Sequence, residues 1–202
     1  KSTAISDVSE ATILSTGAAL SLDMLKVVEE TKKTVYFLKL NEAEKNIKEK
    51  VEKLRNEKAV LFYKNGEVAI LEVDNSIDLS NILKEYLKKD LEYFYIRGAI
   101  TPKIIEAFIN NRGSYEKITL LAEDGTKFFL SSSLLDKAKL SGMEFQVLNK
   151  INLLFVTINP HSPLGVDFNK EEFKSRLQNE VSVPVINVLG DWLIWNLLMK
   201  IV

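Results

Sequence analysis

His161 is the single histidine of this 202-residue chain. It lies in TINPHSPLGVDF, residues 157–168, with Ser162 beside it and Asp167 six positions on. A histidine that acts as a general base needs an orienting partner, and Asp167 is the candidate. Against catalysis, the members of a Ser–His–Asp constellation normally come from separate elements. No GxSxG elbow is present either. The stretch also holds two of the four prolines, together with Gly165. Proline fixes φ and glycine permits positive φ, so the favoured reading is a rigid loop at a strand end, close to a ligand or partner.

Two other stretches join a strand to a helix, STGAALS at 15–21 and RGAIT at 97–101. Ligands of parallel α/β sheets bind beyond the carboxyl ends of the strands, and helix N-termini favour anions. The candidate ligand-binding residues are therefore Thr16, Gly17, Arg97, Gly98, Asn159 and His161. Neither GxxxxGK[ST] nor GxGxxG occurs. STGAALS has a single glycine, which favours a tight turn with a cap over a phosphate cradle. Glu29-Glu30, Glu123-Asp124 and Glu171-Glu172 are adjacent pairs. Neighbours on a helix point apart, so they read as solvated or first-turn charges. No catalytic residue is assigned. The chain has no cysteine, which excludes disulfides and thiolate metal sites, and one histidine cannot build a multi-histidine site.

Composition narrows the function classes. A net charge of −1 gives no field to attract nucleic acid, and basic residues are interleaved with acidic ones. No apolar run approaches the ~20 residues of a membrane span. KSTAISDVSE lacks the apolar core of a signal peptide. The expectation is a cytoplasmic protein that binds neither nucleic acid nor membrane, with Lys1 as a cut start.

Three strand–loop–helix–strand units must position the candidate residues. In the first, Ala11–Leu14 is a strand, Ser21 caps a helix with Asp23 in its first turn, and Leu22, Leu25, Val28 and Met24 supply its buried stripe. Thr34–Leu40, β-branched and aromatic, is the returning strand. In the second, strand 91–96 precedes a helix with Thr101 as cap and Pro102 at its first position. Ile104, Ile105 and Phe108 face inward, Gly113 ends the helix, and strand 118–121 follows. In the third, strand 152–158 leads through the histidine loop to a helix at 170–179, capped by Asn169, and a strand at 184–189.

Between these, residues 41–58 form a charged helix with Ala43, Ile47, Val51 and Leu54 as a narrow seam. Glu44–Lys48 and Glu49–Lys53 are potential i, i+4 pairs, and the helix reads as a solvated surface. Residues 59–73 read as a hairpin with an Asn65-Gly66 type I′ turn. Amphipathic helices follow at 77–89 and 132–141, then a strand at 143–148. The fold class is α/β, with a mainly parallel sheet and one or two hairpins. The charged helix marks the boundary: 1–40 is the remnant of an N-terminal NTPase-like α/β domain, 41–58 links, and 59–202 is the C-terminal α/β domain. The tail GDWLIWNLLMKIV, Gly190 to Val202, holds both tryptophans. It reads as internally buried, with a subunit or domain contact as the alternative.

SEATILSTGAALS and MLKVVEETKKTV, with RGAITPKIIEAFI, KFFLS and LLFVTINPHSPLGVDF, carry a resemblance. They are similar to the ATPase subunit of the lysine 5,6-aminomutase reactivase, from the second half of its P-loop domain onward. The resemblance spans most of the chain to about Leu189. It implies a protein that uses ATP to restore a damaged cobalamin cofactor in the mutase, with the aminomutase or a second reactivase subunit as partner. The family's nucleotide-binding loop would precede Lys1. No phosphate-binding residue carries over, no cofactor is expected in this chain itself, and ATP with Mg would require the upstream segment. The tail matches nothing in the family. Two other readings stay open. One is a stand-alone ligand-binding or enzyme domain with a pocket lined by Thr16, Arg97, Asn159 and His161. The other is a structural interaction module that self-associates.

Overall fold

The structure, a computed structural model, describes residues 5–8, 11–72 and 81–187. The chain is α/β and divides into two units: residues 1–39 with 151–202, and residues 40–150.

The first unit holds β1 (Ile5–Val8), β2 (Ala11–Gly17), α1 (Met24–Leu38), β8 (Leu153–Asn159), α5 (Lys170–Glu180) and β9 (Val185–Asn187). Its sheet runs β1-β2-β8-β9, with β1 antiparallel to β2 and the other three strands parallel. Helices α1 and α5 pack on one face. Val27, Val28, Val35 and Leu38 from α1 meet Leu14, Val156 and Val185 from the strands and Phe173 and Leu177 from α5. Gln178 ties α5 to the returning chain: its amide donates to the Val183 carbonyl at 3.1 Å and its oxygen accepts from the Val185 N–H at 2.9 Å.

Helix α1 departs from the sequence reading. Residues 34–38 continue the helix instead of forming a strand. Val27, Thr31, Val35 and Leu38 are all buried, a spacing of 3.6 residues that outweighs the β propensity of Thr-Val-Tyr-Phe. The cap is Asp23 rather than Ser21. Its carboxylate accepts from the Leu25 N–H at 3.0 Å, while the Ser21 hydroxyl accepts from the Asp23 N–H. The buried stripe also differs, because it runs through Val27, Thr31, Val35 and Leu38. Val28 is buried and Met24 packs at the margin, but Leu22 and Leu25 stand 53% and 60% exposed.

The second unit holds α2 (Lys45–Lys53), β3 (Ala59–Tyr63), β4 (Val68–Leu71), β5 (Leu91–Ile96), α3 (Pro102–Asn110), β6 (Ile118–Ala122), α4 (Ser132–Leu140) and β7 (Met143–Val147). The strand order is β4-β3-β5-β6-β7, parallel across β5, β6 and β7 and antiparallel elsewhere. The hairpin closes through a longer loop than a two-residue turn: the Tyr63 N–H donates to the Glu67 carbonyl, and Gly66 takes φ +88°. Helix α2 is not a solvated linker. Ala43, Ile47 and Val51 pack on Val60, Phe62, Tyr95 and Leu121. Lys48 pairs with Glu42, and Lys45 with Glu49, in place of the expected pairs.

The division of the chain differs from the sequence-based one. Residues 1–39 are built together with 151–187, because β2 pairs with β8 from Thr12 to Gly17. The charged helix belongs wholly to the second unit. The helix expected at 77–89 is described only from Asn81 onward, and the expected strand residues 188–189 and the 190–202 tail lie outside the described residues.

Candidate functional site

Parallel pairing of β2 with β8 sets Gly17 opposite Asn159. The two strands therefore end together, and their loops leave side by side. Four of the expected residues meet here: Thr16, Gly17, Asn159 and, two residues into the loop, His161. Gly17 is required by the close approach. A Cβ there would lie 2.1 Å from the Asn159 carbonyl oxygen. That same oxygen accepts from the Ala18 N–H at 3.0 Å, and the Leu20 N–H donates to the Gly17 carbonyl. These amides are engaged internally, so the loop fits a turn better than a phosphate cradle. Thr16 is buried, its hydroxyl 2.8 Å from that of Thr31, which donates to the Val27 carbonyl. It fastens β2 to α1.

The second loop is organised around Asp167. One carboxylate oxygen lies 2.9 Å from His161 Nδ1, and the other accepts from the Ser162 N–H at 3.2 Å. The Asn159 side-chain oxygen accepts from the His161 N–H at 3.1 Å. The hydrogen bond from His161, with the Ser162 amide as a second donor, holds the Asp167 carboxyl below the usual carboxylate range. Gly165 takes φ +77°, and the Phe168 N–H closes the loop on the Pro160 carbonyl. The pairing that catalysis would need is thus formed, within an otherwise rigid loop. Both side chains are more than half exposed, a setting without the water exclusion that strengthens electrostatic catalysis.

Large apolar side chains also stand exposed on the two segments that follow β2 and β8. Leu20, Leu22 and Leu25 on the first loop and helix start, and Leu164 and Val166 on the second loop, are all exposed, Leu164 at 76%. Only the sequence reading that placed Leu22 and Leu25 in the core obscured this feature.

Arg97 and Gly98 belong to the second unit, just past β5, and both are exposed. Near them lies a cluster that sequence reasoning missed. Glu123 accepts from the Tyr95 hydroxyl at 2.7 Å and from Asn149 at 3.3 Å, and pairs with Arg55 at 3.5 Å. Burial first, and then the Glu123 carboxylate, push the Tyr95 hydroxyl far up, while Arg55 and Arg97 pull the other way. Glu123 is no solvated charge: its side chain is 17% exposed. The signal was its position directly after β6, at the carboxyl end of a strand. A shallow groove of about 390 Å³ lies elsewhere in this unit, lined by Lys50, Lys53, Leu54, Phe62, Val68 and Ile70, with none of the expected residues.

Among the described residues, no group of three or more acidic or histidine side chains could hold a metal ion, and no helix is long and apolar enough to cross a membrane. No protein-family model matches the chain, and no curated protein matches it.

Proposed function

We propose that this chain is a docking segment of a reactivase-type protein, binding a cobalamin-dependent aminomutase and carrying no complete catalytic site of its own. The observation that carries the reading is the exposure of Leu20, Leu22, Leu25, Leu164 and Val166 on the two segments that leave the paired ends of β2 and β8. Exposed large apolar side chains gathered in one region of a surface mark protein contacts. The resemblance of STGAALS, RGAITPKIIEAFI and TINPHSPLGVDF to the reactivase family supports an aminomutase as the partner. The engaged amides of the Gly17 turn support a reading in which this loop cradles no phosphate. Nucleotide chemistry, and any second reactivase subunit, would reside outside these residues.

Calorimetric titration against purified lysine 5,6-aminomutase tests the proposal. Binding that weakens at least about tenfold in Leu25→Asp with Leu164→Asp supports it, since central apolar anchors contribute more than ~1 kcal/mol each. No binding by the native chain, or equal binding by the double variant, would overturn it. ATP should give no heat with this chain. A second reading, a small-ligand site, is favoured by the His161–Asp167 pair alone. It requires a ligand that shifts the His161 ring resonances in NMR and is lost in His161→Ala.

A further inference from the structure

Within the second unit, helix α2 lies on one face of the sheet, where Ala43, Ile47 and Val51 meet Val60, Phe62 and Tyr95. The β3–β4 register sets Val68 opposite Phe62 and Ile70 opposite Val60. Residues paired across strands share a face, so Val68 and Ile70 carry the α2 side of the sheet on to its edge. The helix does not cover them there. They stand 43% and 41% exposed, while Val60 and Phe62 are buried. The result is an open groove of about 390 Å³, with Leu54, Phe62, Val68 and Ile70 as its apolar lining and Lys50 and Lys53 of α2 beside them.

Strand β4 is also the last in its sheet. The Tyr63 N–H donates to the Glu67 carbonyl. Bonded and non-bonded pairs alternate along an antiparallel ladder, so Leu61–Ala69 is the next bonded pair, and the N–H and C=O groups of Val68 and Ile70 point away from β3. An edge of this kind is a template for a further strand. Charge indicates the occupant. The carboxylates on α2 and on the hairpin already have cations: Glu49 pairs with Lys45 at 3.8 Å, Glu52 with Arg55 at 3.2 Å, and Glu67 with Lys88 at 3.0 Å. Lys50 and Lys53 are exposed and make no ion pair among the described residues. We propose that this groove docks an extended acidic segment of a partner protein, added to β4 as a further strand, with its apolar side chains on Val68 and Ile70 and its carboxylates on Lys50 and Lys53. A second copy of this chain is less suited, because a two-fold β4–β4 pairing would bring both sets of unpaired lysines to one side of the joint sheet. This site is independent of the aminomutase reading, which concerns residues of the first unit.

Amide NMR of the full chain, with a defined probe, tests the assignment. The probe is the capped heptapeptide ETVTVTE, whose valines and glutamates share one face of a strand. Its addition should shift the Val68 and Ile70 amide resonances and slow their hydrogen exchange, with a Kd of about 1 mM or tighter. Lys50→Gln with Lys53→Gln should weaken binding about fivefold, the loss of two exposed ion pairs. The basic counterpart KTVTVTK should bind more weakly than ETVTVTE. An unchanged spectrum away from α2 and β4 reports that the double variant is folded. The proposal is overturned by unmoved Val68 and Ile70 amides at about 5 mM peptide, or by equal binding of the double variant. It is also overturned if these two amides are already protected in the free chain, or become so as protein concentration alone is raised, because the edge would then be occupied by this chain or by a second copy.

Discussion

Gly17 was read from the sequence as part of a tight turn in preference to a phosphate cradle, and its role is to let β2 approach β8. Gly17→Ala would bring a methyl carbon to 2.1 Å from a backbone oxygen that cannot swing away. The expected loss is about 3 kcal/mol, at the upper end for ordinary substitutions, read from urea unfolding. Asp167 gives a second prediction at this scale. Its folded-state pKa is depressed by His161 and the Ser162 amide. A depressed carboxyl stabilises the fold above its ordinary range, and that contribution is lost as pH falls through the lowered value. Carbon-13 NMR should find Asp167 titrating below the ordinary aspartate range. Replacing His161 with Ala should move it back up, because the largest cause is then gone.

At the scale of elements, helix starts divide into those secured by a side chain and those that are not. The Asn169 oxygen accepts from the Glu172 N–H at 3.0 Å, whereas Thr101 makes no side-chain cap bond and its hydroxyl is buried without a partner. Asn169→Ala should therefore cost about 1 kcal/mol in thermal or urea melts. Thr101→Ala should be neutral or stabilising, because removing an unpaired buried hydroxyl removes its desolvation cost. In sequence the two positions looked alike, since a cap residue before an apolar run does not reveal whether its side chain turns toward the amides. Other elements were legible for clear reasons. Pro102, Ile104, Ile105 and Phe108 share one helical face, and Asn169 with Glu171 and Glu172 announces a first turn. Residues 34–38 were misread because β-branched and aromatic side chains favour strand locally, while the periodicity deciding the matter begins seven residues earlier at Val27. The exposed leucines have the same origin: Leu22 precedes the helix, and Leu25 lies off the face that Val27, Val28, Thr31, Val35 and Leu38 share.

For the whole molecule, the decisive fact is a pairing between distant segments. Ile13 lies opposite Phe155, and nothing local in ATILSTG or LLFVTIN encodes that match. What local composition does show, a charged helix at 41–58, marks the entrance to an inserted unit instead of a boundary between successive domains. The ends of that insertion are fastened to each other. The Ala43 N–H donates to the Val147 carbonyl at 2.8 Å, the Val147 N–H donates to Asn41 at 3.1 Å, and the Lys150 N–H donates to the Glu42 carboxylate at 3.0 Å. Residues 40–150 also have their own apolar centre, with Val51, Val60, Tyr95 and Leu121 at 0% exposure. A segment with joined ends and a private core has what an independent domain needs. Expressed alone, residues 40–150 should fold, giving dispersed amide NMR resonances and one cooperative urea transition. Replacing them with a short glycine–serine linker should leave the first unit able to pair β2 with β8, because loop closure grows only slowly with length. If the isolated segment gave a collapsed spectrum and no cooperative transition, its core would depend on the remainder of the chain, and the two units would be one folding entity.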